Sequence, residues 1–297
     1  MPQSVTLYLE DPLLRSARAG AHNFIAHLVA VLEQAGYRVH FAATEEVASN
    51  DGLALTHMIP PPPGGLTFRR VYHYPFWAIE PSAERWAWDV AKEAYSPDLV
   101  PKTEADKFYE RWQKRLFPTA KASRQNGFVY VPLQGRLLEH RSFQSCAPID
   151  MLRATLNADP HRPVVAALHP KERYSDVEME ALTRLAHRSP MLTLRTGGME
   201  DMLRDCDYIV TMNSAAAFNG MFFGKPSILF AKIDFHHVAL HAMPENLSAF
   251  DEVTHHAPDY PRYLWWFWQE RAINAGRPDV REKIRAALRR GGWSLPT

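Results

Sequence analysis

The stretch VVAALHPKERYSD, residues 164–176, decides how the second half of the chain is expected to fold. Its first five residues are apolar and run directly into His169-Pro170, after which the chain becomes polar. Proline lacks a backbone N–H and biases the preceding residue toward an extended backbone. We therefore predict a buried strand that ends with His169 at its carboxyl edge, where parallel α/β sheets bind ligands. An ordinary strand end followed by a proline turn is the alternative.

Apolar strands alternate with helical segments on both sides of this stretch, over residues 123–270. The predicted strands are GFVYVPLQ, PVVAALHP, MLTLRT, DYIVTM and PSILFA, and the predicted helices between them are APIDMLRATLNA, DVEMEALTRLAHR, MEDMLRDC and SAAAFNGMFFG. Apolar strands separated by helices of about ten residues are typical of a parallel sheet covered on both faces. We predict a Rossmann-like domain with a doubly wound parallel sheet.

The first half, residues 1–122, is less regular. The segments SVTLYLED, FIAHLVAVLEQAG and YRVHFAA predict a strand, a helix and a second strand, with a loop after the first strand. Beyond residue 50 we expect a long loop at residues 60–65 and then two or three helices over residues 71–118. The whole chain is thus expected to be an α/β protein with two Rossmann-like halves and a central cleft. Residues 271–297 are expected to form a C-terminal helix that returns to the N-terminal domain.

Composition excludes several classes of protein. The chain has 297 residues, of which 46% are hydrophobic and 23% charged, and its net charge is +1. Such a balance provides no strong field to attract nucleic acid, so we expect no nucleic-acid partner. The two cysteines match no CxxC pattern, which favours a reducing compartment. No signal peptide and no apolar run of about 18 residues is present, so we expect a cytoplasmic protein.

Three predicted strands of the second half end in polar groups that should share one edge of the sheet. The strand ends supply a carboxamide, an imidazole, and a second carboxamide with a hydroxyl at the start of a helix, and Lys171 adds a positive charge. Open backbone amides at a helix start favour an anion, although Ser214 could simply cap its own helix. This set suits a phosphate that carries a sugar or a base, and neither a GxGxxG nor a GxxxxGK[ST] motif is present. The candidate binding residues are Gln134, His169, Pro170, Lys171, Asn213 and Ser214.

The same motifs resemble the capsular polysaccharide synthesis proteins. The resemblance covers residues 127–270 and rests on VYVPLQ, LHP, DYIVTMNSAAAFNGMFFGKPSILFA and YLWWFW. That family includes bacterial enzymes that transfer Kdo from CMP-Kdo and have a GT-B-type architecture. The resemblance implies that His169, Pro170, Asn213 and Ser214 contact the nucleotide phosphate, and Gln134 matches the end of the family's PLQ strand.

The resemblance also implies a function. A glycosyltransferase of this kind moves a sugar, here Kdo or a related acid sugar, from a nucleotide-activated donor to a polysaccharide or glycolipid acceptor. The donor is its substrate, and no cofactor is expected. Residues 1–122 would be the acceptor side and residues 123–270 the nucleotide-sugar side.

Two positions depart from the family pattern and keep an alternative open. Ala167 stands where the family often has lysine, and Asn219 lies near the place of an acidic residue. A non-catalytic module that binds a nucleotide sugar or a glycan is therefore the alternative. An epimerase-like isomerase would need paired carboxylates near the donor sugar, and the second half has no such pair.

A transferase also needs a general base within hydrogen-bond reach of the acceptor hydroxyl. The segment after the first strand contains Glu10, Asp11 and His22, and its EDPLLRS sequence echoes an acidic EDxxLRS motif of the same family. We predict Asp11 as the first candidate, His22 as the second and Glu10 as a further one. Roles for Asp11 in a turn and for His22 near a helix start are the structural alternatives.

Two further clusters have plain interpretations. His237 and His241 are four residues apart, but no carboxylate has metal-motif spacing, so we expect no metal site. The WWFW segment is expected to pack a returning C-terminal helix. Its alternative is a place at a membrane interface, which would give peripheral contact with the inner membrane.

Overall fold

The computed structural model describes residues 3–49 and 52–295. In chain order the strands are β1 (Ser4–Leu9), β2 (Arg38–Ala43), β3 (Leu53–His57), β4 (Leu66–Arg70), β5 (Phe76–Glu80), β6 (Val129–Leu133), β7 (Val164–Leu168), β8 (Leu192–Thr196), β9 (Tyr208–Thr211), β10 (Ser227–Leu229), β11 (Leu240–His241) and β12 (Ile273–Asn274). The α-helices are α1 (Asp11–Arg18), α2 (Asn23–Gln34), α3 (Asp89–Lys92), α4 (Lys102–Leu116), α5 (Pro148–Ala158), α6 (Asp176–Arg188), α7 (Met199–Asp205), α8 (Ala215–Gly220), α9 (Ala249–Glu252), α10 (Tyr260–Leu264) and α11 (Val280–Arg290).

The chain divides into two compact units. The first unit contains the chain up to Glu93 and again from Trp266 onward, and the second unit is Ala94–Trp265. The sequence placed these boundaries after residues 122 and 270. Helix α4, which the sequence assigned to the N-terminal half, is therefore part of the second unit.

The first unit contains a mixed sheet with the strand order β12-β5-β4-β3-β1-β2. Strands β1 to β4 are parallel to one another, whereas β5 is antiparallel to β4 and β12 is antiparallel to β5. Apolar residues of β1 and β3 pack with α2 and α11 in one core, which includes Leu7, Leu28, Leu55, Ile284 and Leu288. The C-terminal segment is thus built into the same core as the first strand.

The sequence analysis predicted the wrong secondary structure for residues 50–80. Strands β3, β4 and β5 lie where we expected irregular chain and helix, although the expected proline-rich loop does separate β3 from β4. LALTH and LTFRR are largely buried along their length, so they lack the alternation that marks a half-exposed strand. Helix α4 lies within residues 71–118, where we expected helices.

The segment after β1 is a helix instead of the expected loop. Asp11 and Pro12 occupy the first turn of α1, where proline is well tolerated because the early amides need no intrahelical partner. Leu14 and Ala17 of this helix are buried against the sheet. Asp11 therefore lies at a helix start.

The second unit contains a wholly parallel sheet with the order β11-β10-β9-β6-β7-β8. The five predicted strands of this region are present, and the short β11 was not predicted. Because the strands are parallel, all of their carboxyl ends lie at one edge. The order places β6 between β7 and β9.

The tryptophan-rich segment forms a π-helical turn at Trp265–Glu270. Trp268 is fully buried, stacks on Phe76 with ring centroids 4.4 Å apart, and donates its indole N–H to the carbonyl of Val71 at 3.1 Å. Trp266 and Phe267 are also buried, so these aromatic groups are core residues of the first unit. Over the described part of the chain, no helix is both long and apolar enough to cross a bilayer.

Candidate functional site

Three adjacent strands of the second unit end in the residues that the sequence selected. Gln134 follows β6, His169 follows β7, and Asn213-Ser214 stand just beyond β9. Neighbouring strands lie about 4.8 Å apart, so β7 and β9 are separated by roughly 10 Å with β6 between them. The sheet therefore brings these residues to one edge, as predicted from the sequence.

The His169 side chain is exposed and held in a defined orientation. Its Nδ1 accepts a hydrogen bond from the backbone N–H of Lys171 at 3.2 Å. In the neutral imidazole the proton then resides on Nε2, which can donate to an anionic ligand. Pro170 and Lys171 are exposed beside it.

Tyr174 connects the ends of β6 and β7. Its hydroxyl accepts from the backbone N–H of His169 at 2.9 Å and donates to the carbonyl of Leu133 at 3.3 Å. Burial raises the pKa of Tyr174, so the phenol stays protonated and keeps both bonds. Tyr174 is a positioning residue that the sequence analysis did not select.

The loop after β6 is fastened to the start of α6. Glu178 forms a capping box with Ser175 and also accepts a hydrogen bond from the backbone N–H of Leu137. Although burial works against ionisation, the hydrogen bonds from Ser175 and Leu137 lower the pKa of Glu178. Arg136 in this loop has a positive φ of 63°, a left-handed conformation that few residues other than glycine adopt. The conformation of the loop that directly follows Gln134 is therefore fixed by these contacts.

The start of α8 is a capped turn with fewer open amides than the sequence suggested. The Ser214 hydroxyl accepts from the backbone N–H of Ala216 at 3.2 Å, and the Ala217 N–H donates to the Ser214 carbonyl at 3.0 Å. The helix is only six residues long, so its dipole is small. Ser214 thus caps its own helix, a geometry that is also compatible with a bound phosphate. Asn213 is half-buried and donates to the carbonyl of Lys232 at 3.4 Å.

Arg141 is a basic residue at this edge that the sequence analysis missed. It lines a narrow pocket together with Gln134, Thr211 and Met212, which belong to the ends of β6 and β9. Its Nε is buried and has no hydrogen-bond partner among the described residues. A guanidinium group is always charged and provides five N–H donors in a planar fork, which matches a phosphate. The only signal in the sequence was its place in the GRLLEHRS segment after the PLQ strand.

The carboxyl edge of the first unit's sheet holds a second set of polar groups. Glu10 follows β1, His57 ends β3 and Arg70 ends β4, and these three parallel strands are neighbours in the order β4-β3-β1. The edge therefore carries a carboxylate, an imidazole and a guanidinium side by side. Only Glu10 among them was a candidate from the sequence.

Glu10 and His57 are in direct contact. Nδ1 of His57 lies 2.6 Å from one carboxylate oxygen of Glu10 and 2.8 Å from the other. The Glu10 side chain is 47% exposed and that of His57 only 8%. Burial lowers the pKa of His57 despite the neighbouring carboxylate, so the ring stays neutral and donates from Nδ1. Glu10 is thus the accessible partner, and His57 fixes its orientation.

Trp77 on β5 lies close to the other groups at this edge. Its ring makes an edge-on contact with His22 at 5.4 Å and lies 6.1 Å from His57, and Arg70 is its register partner on β4. Residues directly opposite on antiparallel strands share one face of the sheet. Trp77 is 3% exposed, and its Nε1 has no hydrogen-bond partner within the described residues. An unpaired N–H donor therefore lies among these groups.

His22 and Asp11 are placed differently from each other. His22 caps α2 by accepting from the Ile25 N–H at 3.4 Å, and burial together with the nearby His57 lowers its pKa. Asp11 is exposed at the start of α1 and forms no hydrogen bond or ion pair within the described residues. The structure brings Glu10, His22 and Trp77 together with His57, and it leaves Asp11 at the solvent-facing helix start.

The histidines of the HHVALH segment do not share a helix face. His237 lies in a short 3-10 turn, whereas His241 belongs to β11. The rings of His236 and His237 stack at 4.2 Å, and His237 contacts the hydroxyl of Tyr263 at 3.1 Å. In the described parts of the chain, no group of three or more His, Cys, Asp or Glu side chains is arranged to hold a metal ion.

Comparison with known proteins gives a likeness of fold. No protein-family model matches the chain, and no curated protein matches it in sequence. Among solved structures, the chain is similar to the beta Kdo 2,7 transferase of KpsC from Thermosulfurimonas dismutans, with a TM-score of 0.51 and 12% identity over 87% of this chain and 91% of that chain.

Two further solved structures are more distant. The beta Kdo 2,4 transferase of the same KpsC gives a TM-score of 0.47 at 14% identity over 89% of each chain. The wall teichoic acid polymerase TagF gives 0.34 at 8% identity over 98% of this chain and 90% of that chain. At 12% identity the first similarity shows that the two chains share a fold, and the two lower scores add nothing to it.

Proposed function

We propose that this protein is a glycosyltransferase that moves an acid sugar, Kdo or a related one, from a nucleotide-activated donor to a hydroxyl of a glycan or glycolipid. The observation that carries the proposal is the contact between Glu10 and His57 at the carboxyl edge of the first sheet. A transferase of this type needs an oriented carboxylate that can take the acceptor proton. The fold shared with a solved Kdo transferase supports it.

Glu10 is the residue that we assign to proton transfer. Its carboxylate is half-exposed and can accept the proton of an acceptor hydroxyl, while the buried His57 donates from Nδ1 to hold it in place. Asp11, the first candidate from the sequence, has no such support. His22 is assigned to the wall of the site beside Trp77.

The second unit is assigned to the nucleotide. Nε2–H of His169 and the guanidinium of Arg141 would bind the donor phosphate and stabilise its charge as the bond to the sugar breaks. Gln134, Asn213 and the exposed Lys171 would make further polar contacts from the same edge. No cofactor is needed for this chemistry, because the donor brings its own leaving group.

The choice of an acid sugar is supported by the first unit. Arg70 is exposed at the end of β4 and forms no ion pair within the described residues. A guanidinium without an ion-pair partner suits the carboxylate of a sugar acid. Both cysteines are free and buried, which supports a cytoplasmic place for the reaction.

Calorimetric titration with CMP, UDP, GDP and ADP tests the donor site. We expect one of these nucleotides to bind, and His169→Ala to weaken its binding roughly 10- to 100-fold, because a hydrogen bond to a charged group is lost. His161→Ala, at the opposite end of β7, is the matched control and should leave the affinity unchanged. If no nucleotide produces heat, the proposal is wrong.

A non-catalytic binding module remains the second candidate function. It would bind a nucleotide sugar at the same edge but release no nucleotide from it. Incubation of the protein with CMP-Kdo, in which water takes the place of the acceptor and the products are free Kdo and CMP, distinguishes the two when the free CMP is measured. Release above the rate without protein supports the transferase.

A further inference from the structure

A cavity in the first unit lies apart from the edge that holds Glu10 and His57. Strand β5 is antiparallel to β4, and Glu80 at its end is opposite Thr67 near the start of β4. Glu80 therefore lies toward the amino ends of the parallel strands, whereas Glu10 and His57 lie at their carboxyl ends. Its volume is about 150 Å³, and all of its lining residues belong to the first unit.

The charges that line the cavity are unbalanced. Four carboxylates and two guanidinium groups line it, and both guanidinium groups are already paired. Arg290 lies 3.3 Å from Asp89, and Arg271 lies 2.5 Å from Glu93 and 3.8 Å from Glu270. The remaining carboxylate, that of Glu80, is left without a basic partner.

Glu80 is nearly enclosed by protein. It is 6% exposed, forms no ion pair within the described residues, and accepts one hydrogen bond, from the backbone N–H of Asp89 at 3.3 Å. A carboxylate has about four acceptor positions, so most of its capacity is unused. Burial without a counter-charge is costly for a carboxylate, and a cation in the adjoining cavity would remove that cost.

The walls and size of the cavity indicate which cation would fit. Trp88 and Phe267 line it together with Val71, and both rings are only 1% exposed. Apolar walls suit the methylene groups of an organic ammonium ion, while the Glu80 carboxylate would neutralise its charge. A volume of about 150 Å³ is roughly five times the share of one water molecule, which suits a ligand of about four to six non-hydrogen atoms.

We propose that this cavity binds a small organic ammonium ion, with Glu80 as its counter-charge. Protonation of Glu80 competes with such a ligand. Burial, followed by the nearby Asp89, raises the pKa of Glu80 to about 7, while Arg290 and Lys92 oppose this rise. Glu93, Glu270 and Arg271 also face the cavity. Binding should therefore weaken as the pH falls below neutrality.

Ethanolamine and ethylene glycol form a matched pair of probes, because they have the same size and differ in charge. Calorimetric titration at about pH 8.5 and constant ionic strength should show saturable binding of ethanolamine and none of ethylene glycol. At about pH 6 the affinity for ethanolamine should be about tenfold lower, as a pKa of about 7 requires. Equal binding of the two probes, no saturable binding of ethanolamine, or an affinity that does not change with pH would overturn the proposal.

Variants separate the role of Glu80 from a loss of folding. Glu80→Gln keeps an acceptor for the Asp89 N–H and should weaken ethanolamine binding at least tenfold at about pH 8.5. Glu84→Gln, at an exposed carboxylate outside the cavity, is the control and should bind as the wild type does. Arg290→Gln releases the Asp89 carboxylate and should strengthen binding, an increase that misfolding cannot produce. Unchanged binding by Glu80→Gln, or weaker binding by Arg290→Gln, contradicts the assignment.

Discussion

At the residue scale, the contact between Glu10 and His57 combines an accessible acceptor with a buried donor. The carboxylate reaches solvent, and the imidazole behind it is fixed by burial. Because burial lowers the pKa of His57, the ring stays neutral near pH 7 and can only orient Glu10 by donating from Nδ1. His57 is therefore a positioning residue in this proposal.

Substitution of His57 tests this role. We expect His57→Ala to lower the kcat for CMP release from CMP-Kdo by roughly tenfold or more, with little change in KM, because His57 is not among the residues assigned to donor binding. His57→Asn retains an N–H donor and should restore most of the rate. A His57→Ala enzyme with the wild-type kcat would rule out the positioning role.

Glu80 offers a stability test at the same scale. Its pKa of about 7 in the folded protein is above the ordinary 4.5, so the protonated form is favoured by folding. The stabilisation is complete below about pH 4.5 and is lost as the pH rises through about 7. We expect the free energy of unfolding of the wild type to fall by about 3 kcal/mol relative to Glu80→Gln between about pH 4.5 and pH 8.

Urea denaturation of both proteins at several pH values measures this difference. A constant difference between wild type and Glu80→Gln across the range would mean that Glu80 keeps its ordinary pKa. The amide variant is neutral at every pH and nearly the same size, so packing changes should cancel.

The sequence indicated part of the candidate site at this scale. The strand ends at Gln134, His169 and Asn213-Ser214 were predictable because apolar runs stop abruptly at each of them. The partner of Glu10 was not predictable, because His57 is 47 residues away on a strand that lacks alternating apolar and polar residues. From EDPLLRS alone we ranked Asp11 above Glu10, because the sequence does not show that α1 begins at Asp11 or that Glu10 contacts His57.

At the element scale, the two sheets differ in how clearly their strands are marked in the sequence. The parallel strands of the second unit are apolar and separated by helices, so their order and ends could be predicted. Strands β3, β4 and β5 are not separated by predicted helices, and the aromatic residues around β5 were interpreted as helix-packing groups. Tertiary packing around Phe68 and Trp77 decides their conformation.

Tyr174 tests whether the ends of β6 and β7 act as one rigid edge. Tyr174→Phe removes the hydrogen bonds to the His169 N–H and the Leu133 carbonyl, which we expect to cost about 1–2 kcal/mol of stability. Nucleotide affinity should fall a few-fold, because His169 is less well oriented. Tyr37→Phe, which removes a hydroxyl contact with the Ser294 carbonyl in the first unit, is the control.

Calorimetry of the nucleotide with both variants gives the comparison. If Tyr174→Phe binds as tightly as wild type, His169 does not depend on this link. If Tyr37→Phe weakens binding equally, the effect is general and the link has no special role.

At the scale of the whole molecule, the chain leaves the first unit at Glu93 and returns to it at Trp266. Helix α11 then packs against α2, with Ile284 and Leu288 fully buried in the same core as Leu7. The amphipathic pattern of residues 280–290 made a C-terminal helix predictable. The boundaries of the two units were not predictable, because the sequence of α4 does not indicate which unit this helix packs against.

Leu288→Ala tests the place of α11 in the first unit. A buried leucine replaced by alanine costs about 2–5 kcal/mol, so the first unit should lose that much stability. Amide hydrogen exchange should increase in β1 and β3 while β6 and β7 stay protected. The opposite pattern, with exchange confined to the second unit, would contradict the division of the chain.

The release of CMP from CMP-Kdo by the wild type, Glu10→Gln and Asp11→Asn, with CMP affinity measured for each, tests the central proposal most directly. We predict that Glu10→Gln slows release by roughly 100- to 10,000-fold with CMP affinity unchanged, and that Asp11→Asn stays within a few-fold of the wild type. No release by the wild type, or a loss of release in Asp11→Asn while Glu10→Gln remains active, would contradict it.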